Sequence, residues 1–251
     1  MRAIFSLLYK EISYHRVYPL DLVSLAISPF FIVAPFVFVA KAHTENLQLS
    51  VSLGLIAWYW LSMFFWGVGY GVRDEVEEGV IESLLATPAS VIELLAAKAI
   101  DTSLINLYIT IALVILLWLS AGVSFHLNWI KFFLLFMVSN FALASLSFVY
   151  AAFVLVARQA SFAGNLFQEA VGILSGMTAP VSVLPKAVRW LSMLIPLTYA
   201  IEGARKVAVG QFPYSEMAIL FAFGGVLLLS GVLLVKKAEH YVRLTGTTGE
   251  Y

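Results

Sequence analysis

The chain has 251 residues, 61% of them hydrophobic and 12% charged, with no formal net charge and a mean hydropathy of +0.93. A soluble domain carries about 25% charged residues, and no soluble core of this size could hide so much apolar surface, so lipid is the implied solvent. Zero net charge argues against nucleic acid as a partner; the lack of cysteine excludes disulfides, thiolate catalysis and Cys-ligated metal; and His15, His43, His126 and His240 have no metal-ligand spacing.

In chain order, residues 1–19 read as an amphipathic helix lying in the membrane interface, with Phe5, Leu8 and Ile12 on one stripe and Arg2, Lys10, Glu11 and Arg16 elsewhere. The polar residues that interrupt this segment argue against a cleavable signal peptide. Pro19 marks a turn, and a first crossing follows at 21–40, with kinks expected at Pro29 and Pro35. A second crossing is expected at 50–71, a third at 100–121 and a fourth at 129–156. A fifth, weaker span at 161–178 carries Asn165, Gln168 and Glu169 near its middle. The Pro-studded stretch 179–210 holds two helical pieces, about 186–194 and 197–208, each too short to cross. It reads as a re-entrant or surface-lying hairpin. A sixth crossing at 215–235 ends at Lys236 and Lys237, before a tail of disordered character.

The fold class is therefore an all-α integral membrane protein forming a single transmembrane domain, 1–251, with six crossings. Six crossings put both termini on one side. With that side cytoplasmic, nine Lys and Arg fall inside and six outside, the direction of the positive-inside rule. The expected location is the inner, cytoplasmic membrane.

The charged stretch Arg73–Lys98, RDEVEEGVIESLLATPASVIELLAAK, lies between the second and third crossings. On a helical wheel over 74–86, Val76, Val80 and Leu84 stack, while Asp74, Glu75, Glu78 and Glu82 gather on the opposing side, with Leu85 at their edge. Gly79 interrupts the helix and Pro88 stops it. Two readings are open on physical grounds. A short helix bracketed by two spans can transmit a push to them, or the stretch is a solvated loop where charge is cheap.

The pattern RDEVEEGVIESLLATPAS resembles the segment after the second span in ABC-2 type transporter permeases, on Glu75, Glu78, Gly79, Glu82, Leu84, Leu85 and Pro88. A second block, LSGMTAPVSVLPKAVRWLSMLIPLTYAIEGAR, is similar to that family's outer-face region on Ser175, Gly176, Pro180, Leu184, Pro185, Pro196, Leu197, Thr198, Tyr199 and Arg205. It departs at Ile195, where the family often has Asn, a helix-capping side chain. The resemblance implies that 74–86 is a coupling helix docking into a separate ATPase, through Glu75, Val76, Glu78, Gly79, Val80, Glu82, Leu84 and Leu85. It further implies two ATP-binding subunits, a second copy of this permease or a close paralogue, and outward transport driven by ATP binding.

No G-x-x-x-x-G-K-[ST] run occurs, so no cofactor is expected on this chain, and ATP with Mg belongs to the partner. No HExxH occurs either, and the chain is not expected to be an enzyme. For Asn165, Gln168 and Glu169 one reading is a lining of the translocation path; the alternatives are a neutral Glu169 hydrogen-bonded within the bundle, or a register that places it nearer a membrane interface. Tyr199 and Glu202 are candidates for an outer gate or for simple structural closure. The short extramembrane loops resemble those of compact family members that export drugs, lipids, glycans or sodium, and a small amphiphile, a drug or lipid, is the expected substrate. A glycan, polysaccharide or sodium exporter of the same family, or a non-transporting membrane anchor or assembly factor, are the alternatives.

Overall fold

A computed structural model of the chain describes residues 2–77, 90–156 and 160–245, and every regular element among them is a helix. Helix α1, Arg2–Val17, gives way at Tyr18 to α2, Pro19–Lys41. Proline at the first helical position loses nothing, because that N–H would be unpaired in any case. The helix runs on past Pro29 and Pro35 without interruption. Thr44 starts α3, Glu45–Phe64, its hydroxyl accepting from the Leu47 N–H at 3.2 Å.

The chain then loosens into a π-helical segment, Phe65–Tyr70, before tightening again in α4, Gly71–Glu77. Helix α5, Val91–Ala121, opens on a complete capping box, with Ser90 accepting from the Glu93 N–H and Glu93 accepting from the Ser90 N–H. That box starts the helix nine residues earlier than the apolar run suggests, and Lys98 and Asp101 fall inside it. Gly122 ends it in the left-handed region, at φ 68°. Helices α6, Trp129–Val156, and α7, Ala160–Leu174, follow. After a 3-10 turn at Val181–Val183 come α8, Lys186–Ser192, and α9, Pro196–Ala208. The last helix, α10, spans Tyr214–Thr245 and carries Lys236 and Lys237 within it. Lysine is a good helix former whose stem lies along apolar surface while its ammonium reaches outward, so this pair does not end the helix.

Among the described residues, five helical stretches are long and apolar enough to cross a membrane: Pro19–Lys41, Glu45–Glu75, Val91–Ala121, Trp129–Val156 and Tyr214–Tyr241. The remaining expected crossing, 161–178, is a 15-residue helix followed by a turn. It is about 22 Å long, short of the roughly 30 Å hydrocarbon thickness.

Burial orders the layers. The most apolar 18 residues of Glu45–Glu75 are 78% buried, against 22% for those of both Pro19–Lys41 and Tyr214–Tyr241. Helix α3 is therefore the axis of the bundle, with α2, α5, α6 and α9 around it and α10 laid along α6. Trp60, Phe64, Phe65 and Phe136 fill the centre. The long α6–α10 contact depends on small residues: a Cβ on Gly231 would stand 2.8 Å from the Phe148 Cβ, and one on Gly224 would meet the Phe141 ring. Lipid offers helices no hydrophobic drive to associate, so close approach of this kind supplies the packing.

Candidate functional site

The α4 end of the bundle is tied together by charge. Lys10 Nζ lies 2.6 and 2.9 Å from the two carboxylate oxygens of Glu75. Lys98 Nζ lies 3.2 Å from Glu75 and 3.2 Å from Glu11, and His15 Nε2 lies 3.2 Å from Asp101. Glu75 and Lys98 are nearly inaccessible, with side chains 6% and 10% exposed. These groups join α1 to α4 and α5 around a cavity of about 360 Å³ also lined by Trp66, Asp74 and Thr102.

Two glycines admit α5 to this knot. A Cβ on Gly67 would stand 2.6 Å from the Thr102 hydroxyl, and one on Gly71 would crowd the Lys98 ammonium at 3.3 Å. Gly69 faces the other way, onto the Tyr150 ring of α6. All three belong to or border the π segment, so the helix entering the charged stretch is wedged between α5 and α6 where its own hydrogen bonding is loosest.

Of the residues expected to couple to an ATPase, Glu75 points inward to Lys10 and Lys98, and Val76 lies in α4. Glu78, Gly79, Val80, Glu82, Leu84 and Leu85 lie outside the described residues. Lys10, Glu11, His15, Lys98 and Asp101 escaped sequence reasoning as a group. The available signal was Lys98 and Asp101, one turn apart in an otherwise apolar helix, where isolated charge is costly.

The three polar residues of α7 divide. Gln168 is 7% exposed and donates to Ser62 of α3 at 2.8 Å, and Ser62 in turn donates to the Trp58 carbonyl. Asn165 and Glu169 are exposed, one turn apart on the flank beside it. Deeper in the bundle a second polar set holds α3, α5 and α6. The Trp60 indole donates to Thr110 at 2.8 Å, Thr110 donates to the Asn106 carbonyl at 2.6 Å, and Asn106 donates to Asn140 at 3.1 Å. All four are buried.

The hairpin of α8 and α9 is stitched to the ends of other helices. Ser192 donates to the Leu174 carbonyl at 2.6 Å, and Arg205 donates to the Gly176 carbonyl at 2.7 Å. Gly176 turns the chain after α7 at φ 79°, so the guanidinium sits at the negative end of α7. Ile195 occupies the cap of α9 and offers no side-chain bond; Pro196 takes the first position, and the Thr198 hydroxyl donates back to the Ser192 carbonyl at 2.7 Å. The loop is thus closed without a capping Asn. Of the expected gate pair, Tyr199 donates to the Met193 carbonyl at 2.9 Å. Glu202 has its carboxyl held above the usual range, first by burial and then by the charge of Glu216, with Arg205 and Lys206 opposing. Burial also lowers the Arg205 guanidinium to about 10.

Because Glu202 binds its proton more tightly folded than unfolded, its contribution to stability is complete below the ordinary carboxylate range. It is lost as pH rises from there through the folded value. Glu202→Gln is expected to leave thermal stability unchanged at the acid end and to raise it above that window. Unfolding midpoints across pH for both proteins check this.

The sequence model of the ABC-2 type transporter family matches residues 4–209, which run from α1 to the end of α9. The chain belongs to the ABC-2 type transporter family. No curated protein matches it. It is an ABC-2 membrane domain, the transport subunit of such a system. Among the described residues of this permease, no group of three or more His, Asp or Glu side chains converges as metal ligands would.

Proposed function

We propose that this ABC-2 permease works as a dimer with two ATP-binding subunits, which carry ATP and Mg, and moves a small amphiphile such as a drug or lipid outward. The observation that carries the reading is the split of α7. Its buried face locks to α3 through Gln168, while Asn165 and Glu169 stand exposed on the single chain. An ionisable group on a membrane helix is costly against lipid and tolerable against water or another chain. The Asn165–Glu169 stripe therefore faces the second copy, and the translocation path runs along that interface. In this arrangement α7 and its turn make the fifth of six crossings, with both termini cytoplasmic in the inner membrane, and α8 and α9 form a re-entrant hairpin at the exit, with Tyr199 and Glu202 as the gate.

Force enters through 74–86. Movement of that segment displaces α4, and Glu75 passes the displacement to α1 through Lys10 and to α5 through Lys98. The π segment above α4 is the compliant joint through which the same movement reaches α3.

The test is ATPase activity of the permease reconstituted in liposomes with its ATP-binding partner. Partner-dependent turnover stimulated by one amphiphile is expected in the wild type. Glu82→Arg with Leu84→Asp should abolish the stimulation, and Asn165→Ala with Glu169→Ala should abolish transport while leaving partner binding intact. A folded ATPase that neither binds the chain nor changes turnover would remove the coupling assignment and favour an anchor or assembly role.

A further inference from the structure

A groove of about 360 Å³ opens on the outside of the bundle between α5 and α6, lined by Thr110, Ile111, Val114, Trp129, Phe132 and Phe133 among others. Its floor is prebuilt. Trp60 lies behind it, edge-on to Phe136 at 5.1 Å and tilted against Phe132 at 6.0 Å. Only Thr110 and Trp129 of the lining carry polar side-chain atoms, and the Thr110 hydroxyl is consumed, accepting from the Trp60 indole and donating to the Asn106 carbonyl. Beyond the Trp129 indole at the mouth, the walls are hydrocarbon and aromatic ring, which suits an apolar occupant.

Placement decides the occupant. Both walls are membrane-spanning stretches. The groove follows α5 from Leu107 to Ile115 and α6 from Trp129 to Phe136, which at the helical rise is about 10–12 Å along the bundle axis. Half-exposed Trp129 stands at the first residue of α6. Tryptophan settles at headgroup level, so the groove descends from one membrane surface toward the midplane. A second copy of the chain is a poor occupant, because the polar stripe it would bring, Asn165 and Glu169, finds no partner on these walls.

We infer that the α5–α6 groove is a binding site for a single phospholipid acyl chain, held parallel to the helices with its headgroup beside Trp129. The bound chain completes the contact between two spans that otherwise part, and it is a resident lipid rather than the transported molecule.

The experiment uses the full chain in phosphatidylcholine liposomes doped with a phospholipid carrying a mid-chain diazirine. After irradiation, adducts are mapped by peptide mass spectrometry. Ile111, Val114 and Phe133 should label several-fold more than Val226 and Leu229, which are 68% and 71% exposed on α10 and have ordinary lipid contact. Val114→Trp, which fills the groove, should bring the α5 and α6 adducts down to the α10 level without changing α10. Leu107→Phe fills the deeper end and serves if the first variant does not fold. The yield should be indifferent to ATP and the partner ATPase. Labelling no stronger than on α10, or unaffected by filling, would overturn the site. Labelling that falls only during ATP turnover would overturn the resident-lipid assignment and give the groove to the transported amphiphile.

Discussion

Glu75→Leu is expected to destabilise the permease by about 3 kcal/mol, the lower end of the cost of leaving a buried charge without its partner. The substitution takes from Lys98, whose side chain is 10% exposed, the counter-charge at 3.2 Å, and leaves it Glu11 at the same distance. It also frees Lys10, half of whose side chain is already exposed, at little cost. Removing both buried charges, Glu75→Leu with Lys98→Met, should cost clearly less than the sum of the two single changes, because an apolar pair of similar volume often replaces a buried ion pair without loss. Thermal midpoints of the four proteins in nanodiscs measure the cycle. Hydrogen exchange in α1 adds a local readout, since Glu75 is what Lys10 holds: α1 amides should exchange faster in the single variant. Additive midpoints with unchanged α1 exchange would show that the knot does not tie α1 to α4.

Gly54→Ala is expected to cost at least 1–3 kcal/mol, the usual range for overpacking a close-fitted interior. A Cβ there would collide with the Met177 carbonyl, which is backbone and cannot rotate aside as a side chain would, and would stand 3.2 Å from the Arg205 guanidinium. To make room, α3 must move away from the turn that follows α7, and the Arg205 bond to Gly176 goes with it. The consequence is both thermodynamic and, on the proposed function, catalytic: a lower unfolding midpoint and loss of amphiphile-stimulated turnover, because α8 and α9 are no longer anchored to the central helix. Gly225→Ala is the control. That position has nothing within 4 Å of a new Cβ, and the change should be neutral or slightly stabilising, since alanine favours the helix. Equal midpoints for the two variants would show that α3 does not need this close approach.

The long apolar helices were legible in the sequence because spanning hydrocarbon demands about 20 consecutive apolar residues, a signal carried by each stretch alone. The family was legible for a related reason, since RDEVEEGVIESLLATPAS and the Pro-Leu-Thr-Tyr block are local patterns. Helix limits were less so. Ser90 and Glu93 form the capping box that extends α5 backward through Lys98, yet a charged residue at that position reads as the end of a loop until its partners, Glu11 and Glu75, are known. The polar residues of α7 read as one cluster; whether each faces α3 or the outside depends on rotation about the helix axis, which residue spacing alone leaves open.

What the sequence by itself determined is solvent, fold class and family: hydropathy selects lipid, and lipid admits only helices or closed barrels because unpaired backbone groups are too costly there. Only the tertiary structure decided which charges meet. Lys10 and Glu75 are 65 residues apart, and Gln168 and Ser62 are 106 apart. No local rule pairs groups so distant. In these cases the desolvation of a buried polar group selects its partner, and burial is a property of the assembled bundle rather than of any segment.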